Sequence, residues 1–305
     1  MLAMPDVSII ILNWNTRDLL ADCLNSLEKA TEGLDVEMIV VDNASTDGSQ
    51  DMVRSKFPHV HLIANQENVG FARANNQALA VCKGRYALLL NSDAFAQPGA
   101  VQALVHLADV QPRAGIVGAR LLNPDNSFQA SHTPFPNLWQ EFLILSGLGR
   151  LMCGRWYPSR GPEVAKGPQI VDYVEGACLL VRHEALEKVG GLDEAYFMYA
   201  EEVDWCCAMR EGGWQVWYQP AATVIHLGGG SSRGRSAERE ADLYRSRVRF
   251  FQKHYGGRAA QLLKLQIYAF AAGKAAFHGL LRWVSRGRYG RPVISLKRLA
   301  TMLEV

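Results

Sequence analysis

Two short apolar runs in this chain of 305 residues each break off at an aspartate: Met38 to Val41 runs into Asp42, and Tyr86 to Leu90 runs into Asn91-Ser92-Asp93. Runs of this length bounded by turn residues read as strands buried on both faces, as in parallel sheets, and open α/β sheets bind ligands beyond the carboxyl ends of such strands. The two carboxylates are therefore expected at the rim of a ligand site.

The flanking pattern agrees. Val7 to Leu12 reads as a strand, Asn15 and Asp18 stand where a capping pair would, and Leu19, Leu20, Cys23, Leu24 and Leu27 follow at helical spacing. After Met38 to Val41 come a polar turn at Asn43 to Gly48 and a short helix through Met52 and Val53; a strand over Val60 to Ile63, a helix over Phe71 to Val81 and a strand over Tyr86 to Leu90 complete the set. Strands alternating with helices predict an α/β fold with a mostly parallel sheet and right-handed crossovers. The stretch from Asn123 to Pro168 holds six prolines and scattered aromatics, an excursion from the sheet that reads equally as acceptor contacts, a mobile loop or an ordinary packed insertion.

The hydrophobic content of 49% is enough for a full core in one large domain with a smaller appendage. A net charge of +2 conceals an asymmetry, because Tyr244 to Val305 carries thirteen Lys or Arg against the single acid Glu304. Asp6 and a strand-like segment stand where a secretory signal would need a basic start and an apolar stretch, so the domain is expected to fold in the cytoplasm. Six cysteines without a CxxC pair or finger spacing are read as reduced, mostly buried thiols.

Several polar clusters have site chemistry. Asn43 to Gly48, between a strand and a helix, offers small polar side chains and free amides to a nucleotide, although an Asx turn with Asp47 as N-cap explains the same residues. Asp42 at a strand end can accept the imide N–H of uracil or thymine. Asp93 is a hard oxygen donor suited to Mg2+ or Mn2+ bridging two phosphates, against the plainer reading of a loop turn. Glu201, Glu202 and Asp204 begin a helix that extends through Met209, where acids favour the macrodipole; beside Tyr196, Phe197, Tyr199 and Trp205, a partly desolvated carboxylate there could serve as a general base. His226, after strand-like Thr223 to Ile225 and before a Gly-rich basic loop, is a metal or phosphate candidate, or a structural histidine.

Over roughly Val7 to Arg233 these residues resemble the inverting family 2 glycosyltransferases of GT-A fold, in particular bacterial rhamnosyltransferase-like members. The ordered motifs are Ile10 to Asn15, Val41 to Gly48, Asn65 to Asn76, Leu90 to Asp93, Glu175 to Cys178, Gly190 to Glu194 and Glu201 to Asp204. The resemblance implies a GT-A (nucleotide-diphospho-sugar transferase) catalytic domain over 5–235 and a basic amphipathic helical extension over 236–305. It implies that Asp42 reads the base, with Asn13, Asn15, Asp47, Asn68, Asn75, Asn91 and Ser92 around the donor and Arg233 on the pyrophosphate. Asp93 and His226 would hold Mg2+ or Mn2+, and Asn91 stands where the family's metal motif starts with an acid. Glu202 would be the catalytic base, with Glu175, Gly176, Glu201 and Asp204 near the acceptor or sugar.

The implied reaction is a single displacement with inversion, from a nucleotide-diphospho-sugar, preferably thymidine-diphospho-L-rhamnose, to a glycan or polyprenyl-diphosphate-linked glycan in cell-surface polysaccharide synthesis. A uridine-diphospho-sugar suits Asp42 as well. A nucleotidyltransferase and a non-catalytic sugar-nucleotide-binding or membrane scaffold protein are the readings from other classes. On a helix, Lys264, Lys274, His278 and Arg282 fall within about an 80° sector, with Leu263, Ile267, Phe270 and Phe277 largely elsewhere. That pattern predicts peripheral attachment to an anionic membrane surface at the inner face of the cytoplasmic membrane, the alternative being a helix packed on the catalytic domain. Nucleic-acid binding is not expected, since the tail's apolar face points to lipid or protein; a homo-oligomer is allowed.

Overall fold

The computed structural model describes residues 4–159, 167–229 and 236–284, with the backbone alone for 236–240. In chain order the elements are β1 (Val7–Asn13), α1 (Arg17–Ala30), β2 (Val36–Asp42), α2 (Ser49–Lys56), β3 (His61–Ala64), α3 (Phe71–Leu79) and β4 (Tyr86–Asn91). Then follow β5 (Ala94–Ala96), α4 (Ala100–Val110), β6 (Ala114–Leu122), β7 (His132–Thr133), α5 (Leu138–Ser146) and α6 (Leu148–Cys153). The last are β8 (Gln169–Ile170), β9 (Tyr173–Val174), β10 (Cys178–Arg182), α7 (His183–Val189), α8 (Glu201–Glu211), β11 (Gln215–His226) and α9 (Ser236–Val284).

The main sheet runs β3-β2-β1-β4-β10-β6-β11-β5, with β8 added against β11. β1 is parallel to β2 and β4, β2 to β3, and β11 to β6. β10 lies antiparallel between β4 and β6. Alternation along the strands explains the unbroken apolar runs: Ile9 and Ile11 face a layer with Leu20, Leu24 and Leu104, while Ile10 faces the opposite layer with Ala74, Ala78, Trp205 and Met209. Both faces are covered by helices, so both must be apolar.

The structure departs from the sequence expectations in local detail. Asn15 and Asp18 do not cap α1: its N-cap is Thr16, which makes no side-chain capping bond, and Asn15 at φ 53° turns its side chain away to Thr46. The amide of Arg17 donates instead to Asp47 Oδ2 at 2.8 Å, a cap supplied from thirty residues further along the chain. β3 lies one residue later than read, and α3 ends at Leu79. β5, β6 and the antiparallel β10 add to the four expected strands. All six cysteines are free and four of them are buried, as expected.

The chain forms two compact units, one of 1–135 with 159–234, the other of 136–158 with 235–305. In the second unit α5 packs on α9: Phe142 meets Phe270 edge-on at 5.5 Å, Gln266 donates to the carbonyl of Leu138, and Arg247 pairs with the buried Glu141 at 3.0 Å. α9 is broken at Gly256, whose φ of 81° only glycine adopts readily. Among the described residues no helix is long and apolar enough to cross a membrane.

One close approach sets the seam where β6 passes β9. A Cβ on Gly118 would lie 2.4 Å from Cβ of Val174, a core residue that cannot retreat. Gly118→Ala is expected to lower stability by about 1–3 kcal/mol, measured as a lower urea midpoint with an unchanged slope.

Candidate active site

The carboxyl ends of β1, β2 and β4 meet at one sheet edge. Asn13 and Asp42 are register partners, and Leu12 is partnered by Asn91. Asn13 is fully buried and donates to Asp42 Oδ2 at 2.8 Å and to Ser45 Oγ at 3.1 Å. Its own Oδ1 accepts from Thr16 Oγ1 at 2.7 Å, and Thr16 Oγ1 shares a 2.8 Å bond with Ser92 Oγ. Because the Thr16 hydroxyl has one proton and gives it to Asn13, Ser92 is the donor in the second bond. A continuous buried chain thus ties the nucleotide-reading candidate to the turn after β4 that carries Asp93.

Asp42 also accepts from the Ser45 amide at 2.9 Å and from Gln50 Nε2 at 2.8 Å. A carboxylate has about four lone-pair positions. Three protein donors orient it and leave capacity for one more. Asn15 Oδ1 accepts from the Thr46 amide at 2.8 Å, and the Asn15 amide donates to Ser45 Oγ at 2.9 Å, which clasps the loops after β1 and β2 together. Asn68 accepts from Asn43 at 3.1 Å and from the Gly70 amide at 3.0 Å. Asp47 receives the Arg17 and Ser49 amides and the Ser49 hydroxyl; burial opposes its ionisation, but these bonds outweigh it and hold its carboxyl below the usual range.

Asn75 is not brought to this edge by any polar contact: it is buried in α3 and donates to its own helix at the Phe71 carbonyl, 2.9 Å away. Arg233 lies outside the described residues.

At the other side of β4, the Asn91 amide donates to the Ala177 carbonyl at 3.0 Å. Asp93 is buried, and its Oδ1 stands 3.3 Å from His226 Nε2. The far side of that imidazole is held by Gln129, whose Oε1 is 2.7 Å from Nδ1. Gln129 uses its amide nitrogen on the His226 carbonyl at 3.1 Å and on Asn123 Oδ1 at 3.0 Å, so its oxygen faces Nδ1 and the network assigns the proton of neutral His226 to Nδ1. Nε2 then presents its lone pair toward Asp93. A carboxylate oxygen and an imidazole nitrogen oriented by an outer hydrogen bond fit a divalent cation such as Mn2+ or Mg2+.

The acid cluster sits on strained backbone. Tyr199 and Ala200 both have positive φ, 72° and 65°, immediately before α8. Asn15 and Ala44 share that conformation, so among the described non-glycine residues only Asn126 shows it away from these loops. Each such residue costs of order 1–3 kcal/mol and persists where the surroundings over-determine it. Glu202 comes out beside Gly176, where an added Cβ would be 3.5 Å from Glu202 Cβ. Since Gly176 directly precedes Ala177, Glu202 is drawn to the strand end that carries Asn91. Burial raises Glu202 above the ordinary carboxyl value, and it raises Glu175 to about 8 with help from the charge of Glu202. Glu201 is 5% exposed, its Oε2 has no hydrogen-bond partner, and burial followed by the Glu202 charge raises it well above the ordinary carboxyl value. Asp204 accepts from the Tyr196 hydroxyl at 3.3 Å, deep in the core.

Sequence reasoning missed Thr16, Gln50 and Gln129. Nothing local marks Gln129, which is 97 residues from the histidine it orients.

One strand end thus carries a partly satisfied carboxylate, an Asp–His pair follows the end of β4, and Glu202 stands beside Gly176 next to that second end. Residues 8–190 match the family described as Glycosyl transferase family 2. The chain is 30% identical over 274 residues to N-acetylglucosaminyl-diphospho-decaprenol L-rhamnosyltransferase of Mycobacterium tuberculosis, covering 83% of this chain and 87% of that protein. It is 24% identical to the low-salt glycan biosynthesis hexosyltransferase Agl10 of Haloferax volcanii, over 73% of this chain and 67% of that one. Among solved structures, mannosyltransferase PcManGT from Pyrobaculum calidifontis, in complex with GDP-Man and Mn2+, superposes with a TM-score of 0.58 at 19% identity, covering 99% of this chain and 88% of that chain. GalNAc-T7 with UDP, GalNAc and Mn2+ gives 0.57 at 14% identity, covering 73% of this chain and 43% of that chain. The chain belongs to glycosyltransferase family 2, has the GT-A fold and is a glycosyltransferase.

Glu175 makes a stability prediction. A carboxyl whose folded pKa is raised to about 8 binds its proton more tightly in the folded than in the unfolded state, so it costs stability as pH rises from the unfolded value near 4.3 through 8. Glu175→Gln is expected to raise the melting temperature by several degrees more at pH 8 than at pH 5, measured by calorimetry.

Proposed function

We propose that this glycosyltransferase moves L-rhamnose from thymidine-diphospho-L-rhamnose to a polyprenyl-diphosphate-linked glycan, with inversion, in the synthesis of a cell-surface polysaccharide. The observation that carries the reading is the placement of Glu202: a half-buried carboxylate of raised basicity, aimed by strained backbone, beside the strand end that continues into Asp93. The sugar and acceptor are taken from the similarity to the mycobacterial rhamnosyltransferase, which spans most of both chains.

In this reading Asp42 accepts the imide N–H of the base at its remaining lone pair, and the loops clasped by Asn15, Ser45 and Thr46 hold the nucleoside. Asp93 and His226 would hold a divalent cation, Mn2+ or Mg2+, which supplies charge neutralisation for the departing diphosphate when bound. Glu202 takes the proton of the acceptor hydroxyl as that oxygen forms its bond to the anomeric carbon. The bond from that carbon to the diphosphate oxygen breaks on the opposite face, so the configuration inverts. Burial raises Glu201 and Glu175, which favours their uncharged forms beside the base. A lipid-linked acceptor puts the enzyme at the inner face of the cytoplasmic membrane, with the basic extension over 236–305 as its attachment. A uridine-diphospho-sugar is the second reading, because Asp42 meets the same imide N–H in uracil.

Three measurements test this. Across a panel of nucleotide sugars, release of nucleoside diphosphate should be fastest with thymidine-diphospho-rhamnose; faster consumption of a uridine-linked sugar would move the donor to the second reading. Glu202→Gln should lower turnover by about two to four orders of magnitude with donor affinity retained, and the wild-type rate should fall at acid pH with a midpoint above the roughly 4.3 of an ordinary glutamate. Near-normal turnover would transfer the base to Glu201 or Asp204. Gln129→Leu should weaken Mn2+ binding by about 10–100-fold in calorimetric titration, and Asp93→Asn should weaken it at least as much.

A further inference from the structure

The second compact unit carries exposed apolar side chains on two stretches far apart in sequence. On α6, Leu151 is 81% and Met152 65% exposed, and on α5 Trp139 is 63% exposed. Trp139 stacks on Phe142 at 5.3 Å, and Phe142 meets Phe270 of α9, so the exposed tryptophan caps a packed aromatic series. Phe277 and Val284 stand seven and fourteen residues beyond Phe270, on the same side of a helix of 3.6 residues per turn, and both are exposed. The apolar stripe thus begins at the α5 contact and continues along α9.

The charge around it has one sign. Arg150, Arg155, Lys253, Arg258, Lys274 and Arg282 are exposed on the same unit. Among its described side chains the acids are Glu141 and Asp242, each beside an arginine, Arg247 at 3.0 Å and Arg245 at 3.7 Å. Such a surface joins apolar insertion to attraction for phosphate, the combination that holds proteins in the headgroup region of anionic bilayers.

We propose that α5, α6 and α9 together dock on an anionic lipid bilayer, with Leu151 and Met152 at the end of α6 entering the acyl boundary and Trp139 at headgroup depth. This builds on the membrane placement proposed above and assigns a role to the proline-rich insertion, which composition alone left open. Leu151 and Met152 serve as the test because they are exposed and their replacement removes no core contact.

The experiment is sedimentation of the full chain with vesicles of phosphatidylcholine alone or mixed with phosphatidylglycerol, at low and high salt. The wild type should bind the mixed vesicles, bind phosphatidylcholine poorly and lose binding in salt. The double variant Leu151→Asp, Met152→Asp should lose at least about tenfold in affinity, with circular dichroism and nucleotide-sugar binding unchanged. Failure of the wild type to bind any vesicle would overturn the membrane placement as a whole. Vesicle binding unaffected by the double variant would leave α9 as the attachment and sink the role of the insertion. A stable dimer in light scattering that the double variant dissociates would make the surface a contact between copies of the chain instead.

Discussion

The hydrogen-bonded chain from Asp42 through Asn13 and Thr16 to Ser92 is the constraint on which the site depends. All four side chains are buried, at a sheet edge where the strands end and the backbone can no longer satisfy them. A buried carboxylate or amide without partners costs several kcal/mol, so the four are stable only together. Their mutual satisfaction sets the spacing between Asp42 at the end of β2 and the turn after β4. Asn13 is central: it has both a donor and an acceptor on one planar group, and β1 lies between the two strands it connects.

The acidic side of the site follows the opposite logic. Glu175, Glu201 and Glu202 are brought out of water with few compensating bonds, and Glu201 Oε2 has none. That arrangement costs stability, as do the left-handed Tyr199 and Ala200 that aim α8. It also gives basicity near neutrality, which a solvated glutamate lacks. Rigidity is supplied from outside the cluster: Trp205 donates to the Gly190 carbonyl at 2.8 Å, and the Phe71 amide donates to the Phe197 carbonyl at 2.7 Å, so the loop before α8 is fastened to α7 and α3.

Much of the fold was legible because its signals are local. The apolar runs at Val7, Met38 and Tyr86 are strands because a segment covered on both faces has to be apolar at every position, and each ends at the polar residue that marks the edge. Asn15 and Asp18 misled for an equally local reason, since the capping signature is a spacing and Asn15 has the same side-chain oxygen whether it serves its own helix or the loop across the edge. Cys178 to Val181 is an apolar run like its neighbours, but the antiparallel direction of β10 leaves no trace in composition.

The sequence by itself determined the class of the molecule: strand ends with Asp42 and Asp93, an acid cluster after an aromatic run, and a basic amphipathic C-terminal segment, each a pattern of residues within a few positions of one another. Only the tertiary structure decided which side chains act together. Gln129 finds His226, Gly176 meets Glu202, and the insertion after Phe135 joins α9, because these contacts close long loops whose ends are matched by packing and by buried hydrogen bonds. No periodicity encodes such a match. It depends on where both partners stand once the sheet is assembled.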